Sequence, residues 1–158
     1  MQRIPMTPRG HQIVRDELRR YKEVLRPENV RAIEEARAHG DISENAEFEA
    51  AKERQAQIEG RIIELENRLA MSEVIDITSI PKSKRVIFGA TVHLLDTASD
   101  EEITYRIVSE EEADARNGLI TPTSPLGRAL IGLSAGDEAR VQTPRGVREF
   151  EILEVEYI

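Results

Sequence analysis

Apolar residues along the chain follow two periods, and the change of period divides it. From Thr7 to about Val74 the spacing is helical. Thr7 followed by Pro8 reads as an N-cap with proline at the first helical position. Val14, Leu18, Tyr21 and Leu25 then step by 4, 3 and 4 along one face. Pro27 interrupts, and Val30 and Ile33 are expected to resume the stripe beyond a kink or restart, since proline lacks an N–H and crowds the preceding turn. A second segment is more regular: Phe48, Ala51, Gln55, Ile58, Ile62, Leu65 and Leu69 alternate steps of 3 and 4, a heptad seam. Two such helices joined by a few residues run antiparallel, seam against seam. Arms of ~30 residues at ~1.5 Å rise make a rod on the order of 45 Å.

Residues 75–85, "IDITSIPKSKR", lose the heptad and gain Pro, Ser and Thr. The pattern beyond is that of strands. "GATVHLLD" (residues 89–96) and "EITYRIV" (residues 102–108) are two of them, and the last 21 residues form a hairpin turned at Pro144, Arg145 and Gly146, the glycine being available for positive φ. Between these pairs "SPLGRALIG" reads as a short helix with Ser124 as N-cap and Pro125 at its first position. The fold class expected is therefore α+β. Residues 1–77 form an antiparallel two-helix coiled-coil hairpin, and residues 78–158 a small antiparallel sheet packed on one short helix.

Composition narrows the functional classes. The 158 residues are 33% charged and only 4% aromatic, which suits long exposed helices better than one thick core. No cysteine is present, so disulfides and thiolate metal sites are excluded, in keeping with a reducing compartment. No apolar run reaches the ~20 residues a membrane span needs. The N-terminus lacks the apolar core of a secretory signal, and the expectation is a soluble cytoplasmic protein. Net charge is −8; residues 1–78 carry 13 basic against 16 acidic side chains, and the rest 9 against 14. A free-standing nucleic-acid binder shows a basic footprint, so this chain is expected to meet nucleic acid only where another protein presents it. Three scattered histidines (His11, His39 and His93) lack ligand spacing, so no zinc site is expected, and His93, within a strand, reads as a half-buried packing residue. Neither a Ser/His/Asp arrangement nor a phosphate loop occurs.

The chemistry concentrates between the two helices, in "HGDISENAEFEAA" (residues 39–51). One reading of its acids is local. Gly40 suits an αL cap, and Asp41 with Glu44 suits a capping box, although Ser43 competes for the N-cap. The other is a shared metal site. Magnesium takes oxygen ligands and is commonly held by one or two carboxylates plus phosphate oxygens. Two exposed carboxylates bind it weakly, and a helix N-terminus weakens them further. Asp41 and Glu44 therefore make sense as half of a site completed by a partner, as phosphodiester hydrolysis with two ions requires.

"EARAHGDISENAEFEAAKERQ" resembles the hairpin-tip signature of the GreA/GreB family of bacterial transcript cleavage factors. "RVIFGATVHLLD", "DEEITYRIVSEEEAD", "SPLGRALIGLSAGDE" and "VEYI" resemble the family's C-terminal segments in order and spacing. The resemblance implies that the hairpin enters the secondary channel of RNA polymerase. There it stimulates the polymerase's own active site to cleave the 3′ end of backtracked nascent RNA, so the chain is an accessory factor and not itself an enzyme. Carried over by position, Asp41 and Glu44 help hold a second Mg2+ and orient water. Asn45 and Glu47 share the signature without an assigned step. The resemblance also places Arg37 and Lys52 near the RNA 3′ end, where basic groups position phosphates; an ordinary solvated helix face is the alternative. It further implies an FKBP-like C-terminal domain docked at the channel rim. The segment "TSPLG" (residues 123–127), with Ser124, Pro125 and Leu126, reads as an apolar docking edge for that rim; helix entry with core packing is the alternative. The partners implied are bacterial RNA polymerase and the RNA within it, with the chain a monomer.

Two departures from the family pattern bear on efficiency. Phe48 stands where tyrosine is common, and Ser43 where a basic residue is frequent. The modest charge of residues 1–78 fits the less basic branch of the family, which removes short 3′ fragments. A channel-binding regulator that tunes or inhibits polymerase without cleavage is the competing function, and the paired tip acids argue against it. A purely structural coiled coil is the third, disfavoured by the abrupt turn and the dedicated second domain.

Overall fold

The computed structural model describes residues 3–39, 46–80 and 83–158. Its contacts divide into two compact units. One comprises Met1–Ile4 and Gln12–Ser72, the other Pro5–His11 and Glu73–Ile158.

The first unit is the expected helical hairpin. Helix α1 (Pro8–Arg20) runs into a π-helical segment (Tyr21–Leu25) and on into α2 (Arg26–Ala38); α3 (Ala46–Ala70) packs back along them. The chain stays helical through Pro27, which falls in the first turn of α2. Arg20 and Arg26, at either end of the π segment, both keep right-handed helical dihedrals, and the Arg26 N–H donates to the Tyr21 carbonyl, five residues back. The extra residue in that turn takes up the misfit that proline would otherwise impose on the i−4 carbonyl. It also resets the seam. Asn29, not Val30, follows Leu25 on the inner face: Asn29 is 4% exposed and Val30 43%. The expectation for Val30 is thus corrected, because under-rotation through the π turn leaves successive inward positions four residues apart, at Leu25, Asn29 and Ile33.

On α3 the heptad holds. Ala51, Ile58, Ile62 and Leu65 are buried, with Phe48, Gln55 and Leu69 half-buried at the remaining positions. Ion pairs flank the seam. Arg26 donates from Nε and Nη2 to the two carboxylate oxygens of Glu59 at 2.8 and 2.7 Å, and Arg61 bonds both Glu17 and Glu64. These pairs are substantially exposed, so they fix alignment more than they stabilise.

In the second unit the Thr7 hydroxyl accepts from the Gly10 N–H at 2.9 Å, the cap its sequence position promised. Two short strands, β1 (Ile4–Met6) and β2 (Ser72–Val74), each with its first residue in the first unit, pair with each other; they are too short to show a sequence period. The main sheet contains β3 (Thr91–Asp96), β4 (Glu102–Ile107), β5 (Leu119–Ile120), β6 (Glu138–Thr143) and β7 (Gly146–Glu156), in the order β5-β4-β3-β7-β6. Gly146, at φ 118°, serves the predicted hairpin turn. The sheet is not wholly antiparallel: β5 pairs parallel with Arg106 and Ile107 of β4. Residues 108–118 carry the chain back to the same edge through two 3-10 turns, a route that two-residue pairing permits and that leaves no alternation to read. Helix α4 (Pro125–Leu130) packs Leu130 into a core of Val86, Val92, Leu94, Ile107, Phe150 and Ile152.

Candidate interaction sites on the hairpin and the sheet domain

Asp41, Glu44 and Asn45, with Gly40 and Ser43, lie outside the described residues, so the capping box and the αL cap do as well. The residues on either side of the tip are described. Helix α2 ends at Ala38, and the His39 N–H closes its last turn on the Ala36 carbonyl at 3.3 Å. His39 Nδ1 stands 3.6 Å from a Glu47 carboxylate oxygen, across the helix ends. The Arg37 guanidinium lies 5.8 Å from the centre of the Phe48 ring. That is close to the outer limit of cation–π attraction and worth about 0.5–1 kcal/mol at an exposed site. Arg37 is exposed. Lys52, also exposed, bonds Gln55 Oε1 at 3.1 Å on its own helix. Phe48 therefore joins the two arms, a contact that the ring supplies without a tyrosine hydroxyl.

Ser124, Pro125 and Leu126 fall together at the mouth of a groove of about 250 Å³, whose other walls include Tyr105, Arg148 and Phe150. Ser124 caps α4 as expected. Its hydroxyl accepts from the Gly127 N–H at 3.0 Å and donates to the Thr121 carbonyl at 2.8 Å. Gly127 is fixed by that tight entry, since a Cβ there would lie 2.0 Å from the Thr121 carbonyl oxygen. The cap projects Pro125 outward, exposed, and leaves Leu126 half-buried on the groove wall. Across the groove the Arg148 guanidinium covers the Phe150 ring at 4.9 Å and donates to Asp96 at 2.8 Å. That bond, followed by the Ala98 N–H, holds the Asp96 carboxyl below the usual range. The groove thus combines an apolar floor with a fixed cation at its edge, which suits a protein surface bearing an apolar side chain beside an acid. Sequence reasoning found the helix side of this groove and missed Tyr105, Arg148 and Phe150, which reach it only through pairing of distant strands.

Comparison with known proteins bears on both units. Residues 4–74 match the family model described as transcription elongation factor, N-terminal, and residues 81–157 match transcription elongation factor, GreA/GreB, C-term. The chain belongs to the GreA/GreB family of transcription elongation factors. It is 54% identical to transcription elongation factor GreA of Neisseria meningitidis serogroup A and 52% identical to that of Haemophilus influenzae, over 100% of both chains in each case. Among solved structures, the GreA factor homolog 1 protein of Thermus thermophilus is 29% identical, covering 98% of this chain and 99% of its own, with a TM-score of 0.44. Membership of the family agrees with the resemblance read from the tip and the C-terminal segments. No helix among the described residues is long and apolar enough to cross a membrane.

Proposed function

We propose that this elongation factor binds bacterial RNA polymerase and stimulates hydrolysis of the 3′ end of backtracked RNA by the polymerase's own active site. The observation that carries the proposal is the pair Asp41 and Glu44, set in "GDISENAE" between α2 and α3 of a chain matched to the family from end to end. Paired carboxylates are a hard-oxygen donor set that fits Mg2+. Such an ion, when held jointly with polymerase, supplies a lowered pKa for the attacking water. Asp41 and Glu44 would help hold that shared ion and orient the water, the longer Glu44 side chain reaching the water as well as the ion. Arg37 and Lys52 flank the tip and neutralise RNA phosphates without reading sequence.

The hairpin's role in this reading is to deliver two acids down a narrow channel. A paired, salt-bridged arm suits that task because it holds the tip in place without a globular support. The groove at Ser124, Pro125 and Leu126 takes the rim of the channel, its apolar floor and the Arg148 cation meeting a complementary polymerase surface. Adding the full chain to a stalled, backtracked elongation complex with Mg2+ tests the proposal. Shortened transcripts that resume elongation support it; binding without shortening would point to the regulator that tunes polymerase instead.

A further inference from the structure

We infer that His93, Glu154 and Glu156 form a binding site for a divalent transition-metal ion of the zinc class, on the solvent face of the main sheet. One ligand atom from each of the three residues lies within 4.8 Å of the others. His93 is on β3 and both glutamates are on β7, so the cluster exists only through strand pairing. Its donors are chemically unlike those of the hairpin tip: imidazole with carboxylates selects zinc and its neighbours, whereas Mg2+ prefers oxygen alone.

A backbone irregularity creates the arrangement. Strand β7 pairs Ile152 with Leu94 but Glu154 with His93, so Leu153 is an extra residue in a β-bulge. Without the bulge, strict alternation would put Glu154 and Glu156 on the core face with Ile152. With it, Val155 pairs with Val92 on the core side, and both glutamates turn outward beside His93. Bulges that re-aim side chains recur at functional sites.

The ring is oriented for coordination. His93 Nδ1 meets the Thr104 hydroxyl at 2.9 Å, and Nε2 meets Glu156 Oε1 at 2.5 Å. With Nδ1–H donating to Thr104, the Nε2 lone pair faces the Glu156 carboxylate as a ligand atom beside it. A ligating histidine usually has its far ring nitrogen held by a hydrogen bond, and here the Thr104 hydroxyl is the partner. At ~2.1 Å per bond, tetrahedral ligands stand roughly 3.4 Å apart, so small side-chain rotations bring the three donors into place. The side chains of His93 and Glu156 are 32% and 33% exposed, which leaves a path for the ion and room for water as fourth ligand. Arg106, opposite Thr91 on the same face, is the nearby opposing charge; Glu112 interacts with it electrostatically.

The test is a titration of the full chain with Zn2+ by calorimetry, with the histidine ring resonances followed in parallel by NMR. One equivalent should bind while the ring signals of one histidine shift, and His93→Gln should abolish both. Thr104→Val should weaken binding on the order of 10- to 100-fold. Asp41→Asn with Glu44→Gln should leave this site unchanged. Zinc that shifts no histidine in the wild-type chain, or that binds His93→Gln and Glu156→Gln as tightly as wild type, would overturn the inference.

Discussion

The side-chain amide of Asn29 donates to the backbone carbonyl of Ala51 at 3.0 Å, joining α2 to α3 through a buried polar group in an otherwise apolar seam. Its Oδ1 is buried without a hydrogen-bond donor among the described residues. A buried amide used in this way sets which residues face each other, at a cost in stability. Asn29→Leu is therefore expected to melt at or above the wild-type midpoint while losing cleavage activity, because the arms can slip. A destabilisation above ~1 kcal/mol in denaturant melts would show that the bond stabilises outright.

Packing on α3 makes two opposite predictions within three residues. Ile62 is 2% exposed, and Ile62→Ala should destabilise by ~2–5 kcal/mol, at the low end because a two-helix arm can relax around the cavity. Gly60, mid-helix, has open space where a Cβ would lie. Gly60→Ala should stabilise by ~0.5–1 kcal/mol. Urea midpoints for both variants, at unchanged slope, check the pair.

Two carboxylates should move stability in opposite directions with pH. Asp96 is held low by Arg148 and the Ala98 N–H, so its contribution is full above the ordinary carboxylate range and is lost as pH falls through its depressed folded value. Glu112 is pushed up, chiefly by burial, so its protonated form favours the fold and that contribution disappears as pH rises through its raised value. Asp96→Asn should flatten the acid limb of the melting curve. Glu112→Gln should raise the midpoint at neutral pH, with the gain vanishing on acidification.

At the groove, Leu126→Asp places a charge on the apolar wall beside Phe150. It should abolish competition with wild-type chain for polymerase while leaving the circular dichroism of the hairpin intact. Ser124→Ala should cost ~0.5–2 kcal/mol through the lost cap and weaken docking in proportion. A Leu126→Asp variant that competes normally would remove the groove from the interface.

What could be read from the sequence follows from where each signal lives. The α3 seam, the Thr7 and Ser124 caps and the Gly146 turn are local, each set by residues within a turn or two of one another. The π turn escaped because its signal is Pro27, which reads equally as a kink. Its consequence, Asn29 buried in place of Val30, depends on a phase that spacing alone does not carry. Strands β1, β2 and β5 are too short for alternation. The helix side of the groove was legible as a capped Ser-Pro-Leu-Gly turn, but Tyr105, Arg148 and Phe150 reach it only through sheet pairing, as do Glu154 and Glu156 beside His93. For the tip the sequence remains the source: Asp41 and Glu44 stand out by charge and spacing, and they lie outside the described residues.

The central claim is that Asp41 serves as a metal ligand and not only as a helix cap, and asparagine separates the two. Asparagine caps about as well as aspartate, so a purely capping Asp41 makes Asp41→Asn nearly silent. A neutral amide is a far poorer ligand for a hard cation. The decisive measurement is the rate of 3′ cleavage in a backtracked elongation complex at limiting Mg2+, with Asp41→Asn at a concentration that saturates polymerase. The account predicts normal folding and binding, loss of most cleavage, and partial recovery as Mg2+ is raised. Cleavage at the wild-type rate under limiting Mg2+ would contradict it and leave Asp41 as a cap.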